Sequence, residues 1–239
     1  MNDVLNRAIA FTVNAHSGVM RKGSDAPYIL HPMEVAAIAG TMTADLEVLA
    51  AAMLHDVIED TAITLKDIRT DFGERVAALV DTDTEDKREG CETWQIRKEE
   101  TIEKIRHATY EEKIIAFSDK LSNLRAIHRD YLTIWEKLWE RFNQKDPMAQ
   151  LWYYGSFLDT CKELADTLAY REYRRLFHEV KARVIEYQDY GTHKCSLQVI
   201  VTPDSNDWVL KDESADELFI VSTENFQAFI QDMQSGNDN

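Results

Sequence analysis

Four imidazole and carboxylate side chains crowd into residues 50–61, AAAMLHDVIEDT, a segment that is otherwise apolar. Its alanines and long aliphatic residues favour a helix, which would place His55 and Glu59 one turn apart on one face. Asp56 and Asp60 have the same spacing on the neighbouring face. Burying so many charged groups is costly unless a partner compensates for them, and a divalent cation is the simplest such partner. The alternative is a solvated acidic helix end that carries one incidental histidine.

Two residues elsewhere in the chain are also of types that bind metals. His31 directly precedes Pro32, where a new helix is predicted because the missing N–H of proline costs nothing in a first turn. Asp119 lies within the apolar helical pattern of IAFSDKLSNLR, and a buried carboxylate there needs an ion pair, a cap or a metal. Asn123 follows one turn later on the same face. Either residue alone could equally be structural.

A short glycine- and proline-containing loop carries an adjacent basic pair, Arg21 and Lys22, in a chain that is acidic overall. Lys and Arg number 27 against 43 Asp and Glu, for a formal net charge of −16. This balance argues against a nucleic-acid polymer or an anionic membrane as a partner, since both need clustered positive charge. A basic pair on a loop can bind a phosphate group or stack on a base, although many such pairs are simply solvated.

The cysteines and the apolar segments bear on the compartment. Cys91, Cys161 and Cys195 are far apart and lack C-x-x-C spacing, so neither a disulfide framework nor a zinc knuckle is predicted and a reducing compartment fits best. The N-terminal segment lacks the apolar core of a signal peptide. The most apolar window, residues 35–54, is interrupted by acidic residues, so no transmembrane helix is expected. We therefore expect a cytoplasmic protein.

Helical periodicity dominates the first part of the chain, residues 1–190. One helix is predicted over residues 45–58, and Thr64 is predicted to cap the next one in a capping box. The later long helices are predicted to break near Pro147 and Gly155, and their many aromatic residues are assigned to core packing. These patterns predict a mainly α fold in which a helical bundle forms the first domain.

The pattern changes in residues 191–239, the predicted second domain. CSLQVIVT and ELFIVST alternate like strands, with a turn around residues 203–207, and TENFQAFIQDMQ is predicted to close the chain as a short helix. The sequence therefore predicts a small α/β appendage at the C-terminal end.

The order H…HD…D, formed by His31, His55-Asp56 and Asp119, is the signature of the HD superfamily of metal-dependent phosphohydrolases. More specifically, the chain resembles the stand-alone small alarmone hydrolases and the guanosine-bis(diphosphate) 3′-pyrophosphohydrolase domain of the RelA/SpoT type, known from the stringent response. The resemblance covers residues 1–190. The segments that carry it are HSGVMRKGSDAPYILHP, AAMLHDVIEDT, DFGERVAALVD and IAFSDKLSNLR.

This resemblance implies an HD-domain bundle with one divalent metal, usually manganese, although a mixed nitrogen and oxygen ligand set does not by itself select the ion. The implied metal ligands are His31, His55, Asp56 and Asp119. The pair implied to position and activate water is Glu59 and Asp60. The residues implied to contact the nucleotide are Arg21, Lys22 and Asn123.

The implied reaction is hydrolysis of the 3′-pyrophosphate of guanosine tetra- or pentaphosphate to GDP or GTP and pyrophosphate. No synthetase activity is expected, because the chain is too short for the second domain of the bifunctional relatives. Lys120 and Ser122 stand where the family often has Arg and His, which bears on how the base or ribose is held.

Two alternatives stay open at this point. The first is an HD phosphohydrolase that acts on another phosphorylated nucleotide, such as NADPH or a nucleoside phosphate. The second is a non-catalytic nucleotide sensor, which would not need the water-activating acids. In each case the predicted partner is a small nucleotide, and a homo-oligomer is compatible with the sequence.

Overall fold

The computed structural model describes residues 4–21, 23, 25–83, 93–190, 197–201, 207–212 and 217–222. The chain divides into two compact units, Met1–Lys181 and Ala182–Asn239.

The fold is mainly α, as predicted, and among the described residues no helix is long and apolar enough to cross a membrane. The α-helices are α1 (Val4–Ala15), α2 (Leu30–Ala39), α3 (Leu46–Leu54), α4 (Val57–Asp60), α5 (Leu65–Phe72), α6 (Glu74–Asp83), α7 (Trp94–Arg106), α8 (Tyr110–Ile134), α9 (Pro147–Thr160) and α10 (Leu168–Tyr190). Short 3₁₀ helices cover Trp135–Arg141 and Lys162–Leu164.

Helix α8 is the centre of the first unit, and α2, α3, α6 and α9 all pack against it. Most of its apolar side chains are buried, and Phe117 is fully so, whereas Tyr110 and Leu132 near its ends are exposed. The Phe117 ring lies between Tyr170, at a centroid distance of 5.5 Å, and Tyr173, at 4.7 Å. A polar side chain on the buried face of α8 must therefore find a partner within the protein.

The helix predicted over residues 45–58 is in fact two helices. α3 ends at Leu54 and α4 begins at Val57, with a turn at His55 and Asp56. The His55 Nδ1 atom lies 2.9 Å from the Ala52 carbonyl oxygen. A side chain that bonds a carbonyl of its own last turn competes with the backbone hydrogen bonds that would continue the helix. The apolar periodicity of the sequence does not indicate this competition and therefore does not predict the end of α3.

Two further predictions concern helix ends. The capping box is confirmed: the Thr64 hydroxyl accepts from the Asp67 N–H, and the Asp67 carboxylate accepts from the Thr64 N–H. The predicted break at Gly155 is wrong, because this residue lies inside α9. A Cβ atom at position 155 would lie 2.9 Å from Phe177 Cζ. Glycine here allows α9 and the Phe177 ring to approach closely.

Replacing Gly155 with valine should therefore lower the free energy of unfolding by about 2 kcal/mol, the usual effect of overpacking a buried contact. The neighbouring variant Ser156→Val introduces the same side chain at a half-buried position on the same helix and is the matched control. Chemical denaturation of both variants measures the difference. Equal stabilities of the two variants would show that the Gly155–Phe177 contact is not tight.

The second unit contains an antiparallel sheet of order β1-β2-β3. Strands β1 (Leu197–Val201) and β3 (Glu217–Ser222) fall within the two predicted strands. The middle strand, β2 (Asp207–Asp212), was not predicted, and Val209 on it pairs with Ile200 of β1 and Ile220 of β3. The predicted closing helix lies outside the described residues. The boundary predicted between residues 190 and 191 stays a prediction.

Candidate metal centre and active site

Three separate parts of the bundle bring His31, His55, Asp56 and Asp119 together. His31 lies in the first turn of α2, His55 and Asp56 form the turn between α3 and α4, and Asp119 lies in the middle of α8. Both histidines and Asp119 are at most 5% exposed. The mutual packing of α2, α3 and α8 thus brings the four residues of the cluster together, although they come from distant parts of the sequence.

The side-chain atoms of these residues are within a few ångströms of one another. His31 Nε2 lies 3.1 Å from Asp119 Oδ1 and 3.4 Å from Asp56 Oδ2. His55 Nε2 lies 3.0 Å from Asp56 Oδ2 and 3.7 Å from Asp119 Oδ1. Ligand atoms of His31, His55 and Asp56 all lie within 4.8 Å of each other. The two Nε2 atoms and the two carboxylates therefore face a common centre.

Hydrogen bonds on the far side of each imidazole ring fix which nitrogen carries the proton. Ala52 offers only a carbonyl oxygen to His55 Nδ1, so that nitrogen must donate. The Ser122 hydroxyl donates to Glu34, so its oxygen accepts from His31 Nδ1 at 2.9 Å. Each ring therefore carries a proton on Nδ1, and Nε2 is the nitrogen that faces the centre and would bind a metal there.

The donor set fits a divalent cation. Among the described residues, buried His55 Nε2 makes no hydrogen bond of normal geometry, even though Asp56 Oδ2 lies 3.0 Å away, whereas polar atoms in such positions are normally satisfied. Two imidazole nitrogens and two carboxylates form a mixed set that suits zinc, manganese and related divalent ions. A cation at the common centre would satisfy the orphaned nitrogen and neutralise both carboxylates.

The surroundings keep both aspartates ionised. Burial raises the pKa of Asp56, but His55 and His31 outweigh it and lower that pKa well below the usual range. The pKa of Asp119 is likewise lowered, since Lys120 and the two imidazoles outweigh burial. Lys120 Nζ donates to Asp119 Oδ2 at 2.5 Å. Carboxylates must be ionised to bind a metal, so this environment prepares both for that role.

Tyr28 adds a hydroxyl at the edge of the cluster. Its Oη atom donates to Asp56 Oδ2 at 2.5 Å. Burial, followed by the negative charges of Asp56 and Asp60, raises the pKa of the phenol far above its usual value. The group therefore stays protonated and acts as a donor that orients the Asp56 carboxylate.

A hydrogen-bonded chain joins the cluster to two of the residues predicted to contact a nucleotide. Arg21 Nη2 donates to Asn123 Oδ1 at 2.8 Å, and Asn123 Nδ2 donates to Asp119 Oδ1 at 2.7 Å. The shared face predicted for Asp119 and Asn123 is thereby confirmed. Lys22 lies outside the described residues, so its predicted contact stays a prediction.

The predicted water-handling residues follow the cluster by one turn. Glu59 and Asp60 both line the same pocket as the cluster, and Glu59 is half-buried whereas Asp60 is exposed. The pocket has a volume of about 480 Å³. A cavity of this size is in the range that binds small molecules.

Sequence reasoning missed much of the pocket wall, in particular its basic part. Arg97, Lys98 and Arg141 line the pocket together with Arg21 and Lys120. Lys98 Nζ lies 4.7 Å from the centre of the Tyr153 ring. The adjacent Arg97-Lys98 pair in WQIRKEE is a signal of the same kind as Arg21-Lys22, yet on a helix it also fits a solvated face.

A glycine leaves room for one of these basic side chains. Gly23 has a φ of +74°, and a Cβ atom there would lie 2.7 Å from Arg141 Cδ. Arg141 in turn donates to Asp130 at 2.9 Å. The loop that carries Arg21 thus packs directly against Arg141, which lies far along the chain.

A helical bundle that holds two histidines and two aspartates in the order H…HD…D beside a pocket defines a class of metal-dependent hydrolases. The HD domain family matches residues 8–142. The chain belongs to this family, and the resemblance drawn from the sequence is confirmed.

Particular relatives are similar over most of their own length. The guanosine-3′,5′-bis(diphosphate) 3′-pyrophosphohydrolase MESH1 of Mus musculus is 37% identical over 138 residues, which cover 56% of this chain and 74% of that protein. MESH1 of Danio rerio is 35% identical over 130 residues, or 53% and 70% of the two chains. A metazoan ortholog of SpoT that hydrolyses ppGpp has a TM-score of 0.62 at 24% identity and covers 75% of this chain and 96% of its own. This last comparison shows the shared fold.

Proposed function

We propose that this protein hydrolyses the 3′-pyrophosphate of guanosine tetra- or pentaphosphate to GDP or GTP and pyrophosphate. The observation that carries the proposal is the two-histidine, two-aspartate cluster, three of whose members line a pocket with a wall rich in Arg and Lys. Membership of the HD family and the names of the MESH1 relatives support the same substrate.

The metal in this proposal is Mn²⁺, held by His31, His55, Asp56 and Asp119. The distances between their ligand atoms and the orphaned His55 Nε2 support this set. When bound, the ion supplies a Lewis acid that polarises a phosphoryl oxygen and lowers the pKa of water. Tyr28 holds the Asp56 carboxylate in place, and Asn123 does the same for Asp119.

Glu59 and Asp60 are the proposed water-handling residues. Their carboxylates orient the attacking water and accept its proton. The water oxygen forms a bond to the phosphorus atom that carries the ribose 3′ oxygen. The bond between this phosphorus and the 3′ oxygen breaks, and the 3′ oxygen is protonated as it leaves. The position of both residues on the pocket wall, one turn after the metal-binding pair, supports these roles.

Basic residues of the pocket bind the phosphates in this proposal. A substrate with two polyphosphate arms needs several cations in a chain of net charge −16, and preorganised cations also stabilise charge that develops during phosphoryl transfer. Arg21 and Lys22 on the loop serve one end of the substrate. Arg97 and Arg141, which also line the pocket, supply further positive charge.

Replacing Arg141 with glutamine should raise KM by about 10- to 100-fold, because one charge-assisted hydrogen bond contributes about 1.5–3 kcal/mol. The metal centre is untouched, so kcat should change much less. Arg175→Gln, which removes an exposed arginine paired with Glu179, is the matched control. Steady-state kinetics of both variants supply the measurement, and an unchanged KM for Arg141→Gln would exclude a phosphate contact.

A substrate panel tests the proposed function against its alternatives. Purified protein with Mn²⁺ is assayed on guanosine tetraphosphate, NADPH and simple nucleoside phosphates, with EDTA as the control. The proposal expects guanosine tetraphosphate to give the highest kcat/KM. Faster turnover of NADPH would select the other phosphohydrolase, whereas tight binding without turnover of any compound would select the sensor.

The remaining parts of the proposal concern organisation and location. We propose that residues 1–190 form the hydrolase domain and residues 191–239 a separate small domain. The antiparallel sheet of the second unit supports that division. Three widely spaced cysteines favour a reducing compartment, and we propose the cytoplasm, with a small nucleotide and no nucleic-acid polymer or membrane as partner.

A further inference from the structure

Ser122 makes the most unusual contact around the cluster. Its side chain is fully buried in α8, and it lies between His31 of α2 and Glu34, one turn further along α2. The Ser122 Oγ atom lies 2.9 Å from His31 Nδ1 and 2.7 Å from Glu34 Oε2. A buried hydroxyl with partners on both sides is part of a chain of hydrogen bonds.

The chemistry of the groups in that chain determines which of them donate and which accept. The Glu34 carboxylate is an acceptor, so the Ser122 hydroxyl donates its only proton to it. The serine oxygen can then only accept from His31, which places the proton of the imidazole on Nδ1. This leaves His31 Nε2 as the ring nitrogen that faces the common centre and would bind a metal there.

Glu34 is itself held in place from α8 and α10. Arg125 Nη1 donates to Glu34 Oε1 at 3.0 Å. The same guanidinium makes a two-pronged contact with Glu172 of α10, with both distances at 2.7 Å. Arg125 therefore leaves one Glu34 oxygen for Ser122 and fixes its position.

We propose that Ser122 and Glu34 are positioning residues that set the affinity of the metal centre by orienting His31, and that Arg125 holds Glu34 for this purpose. A carboxylate that acts on a ligating histidine fixes its tautomer and strengthens the donor atom. Here the carboxylate acts through the Ser122 hydroxyl, which accepts from the ring and donates to Glu34. The proposal rests on the metal centre of the proposed function.

The competing explanation is purely structural, because Arg125 with Glu34 and Glu172 also ties three helices together. The two explanations differ in what a loss of the Ser122 hydroxyl does. A helix tie depends on Arg125 and not on Ser122. Orientation of His31 depends on the serine hydroxyl, and any side chain that keeps the hydroxyl should preserve it.

The test measures the dissociation constant for Mn²⁺ alone by titration calorimetry, with the full-length protein at one pH. Ser122→Ala should weaken Mn²⁺ binding by about 10- to 100-fold, the usual effect of losing such an outer contact. Ser122→Thr, which keeps the hydroxyl, should restore most of the affinity. The matched control is Ser118→Ala, one turn earlier on α8. Its buried hydroxyl donates to the Ile114 carbonyl, and its loss should leave the dissociation constant unchanged.

Two outcomes would overturn the proposal. Wild-type affinity for Mn²⁺ in Ser122→Ala would overturn it. The proposed hydrolase function would still stand in that case, provided that the wild type turns over guanosine tetraphosphate. An absence of Mn²⁺ binding in the wild type would overturn the metal centre and this proposal together. If Ser122→Ala does not fold by circular dichroism, Glu34→Gln, which removes the charge and keeps the shape, takes its place with the same expected loss.

Discussion

Replacing His55 with alanine, or Asp56 with alanine, should reduce Mn²⁺-dependent turnover of guanosine tetraphosphate to the level of the wild type in EDTA. The two residues form the turn between α3 and α4, and each supplies an atom to the common centre. Losing one leaves a three-donor set, so both metal affinity and the geometry of the centre should suffer. Initial rates with and without Mn²⁺ give the result.

Controls for this prediction use residues of the same types outside the pocket. His107→Ala removes an exposed histidine paired with Glu103, and Asp159→Ala removes an exposed aspartate paired with Lys162. Both should retain wild-type rates. Thermal unfolding in EDTA identifies any variant that has lost its fold. Near-normal turnover by folded His55→Ala or Asp56→Ala would refute the assignment of the metal centre.

The second large effect is expected at the water-handling pair. Glu59→Gln and Asp60→Asn keep the shape of the side chain and remove its ability to accept a proton, so at least one should lower kcat by about 10²- to 10⁴-fold. The Mn²⁺ dissociation constant should stay within a few-fold of the wild type, because neither residue is a proposed ligand. This combination separates a loss of chemistry from a loss of metal.

The control for this pair is Glu140→Gln, an exposed acid outside the pocket lining, which should leave kcat unchanged. If both pocket variants keep wild-type kcat, water must be oriented and deprotonated by groups other than these two carboxylates. If kcat and Mn²⁺ affinity fall together, the two residues belong to the metal centre itself.

Local rules predicted the parts of the site that lie within one helix. The spacing of Asp119 and Asn123 placed them on one face, and the structure joins them by a hydrogen bond of 2.7 Å. The capping box at Thr64 was likewise readable, because the interaction spans only three residues. Such features depend on helix geometry alone.

These local rules do not predict the turn at His55 and Asp56. Apolar residues continue at helical spacing through Val57 and Ile58, so the pattern favours one continuous helix. What ends α3 is a side-chain contact between His55 and the Ala52 carbonyl, which competes with the backbone. The consequence is functional, since the turn directs His55 and Asp56 toward the same centre instead of along adjacent strips of a helix.

Long-range polar contacts were also invisible in the sequence. Ser122 and Glu34 are separated by 88 residues and Arg125 and Glu34 by 91, and no periodicity connects them. Arg141 reaches the pocket because the helices fold back on one another and because Gly23 leaves space for it. Similarity to a family indicated which residues carry the chemistry, whereas the residues that orient them emerged only from the packing.

The central claim is that the protein removes the 3′-pyrophosphate of guanosine tetraphosphate, and product analysis by ³¹P NMR tests it most directly. The protein is incubated with guanosine tetraphosphate and Mn²⁺, and samples taken over time are quenched with excess EDTA before their phosphorus spectra are recorded, because paramagnetic Mn²⁺ would otherwise broaden the signals. We expect GDP and pyrophosphate to appear in equal amounts, with no reaction in EDTA. Stepwise release of inorganic phosphate, or an unchanged spectrum despite bound nucleotide and metal, would contradict the assignment.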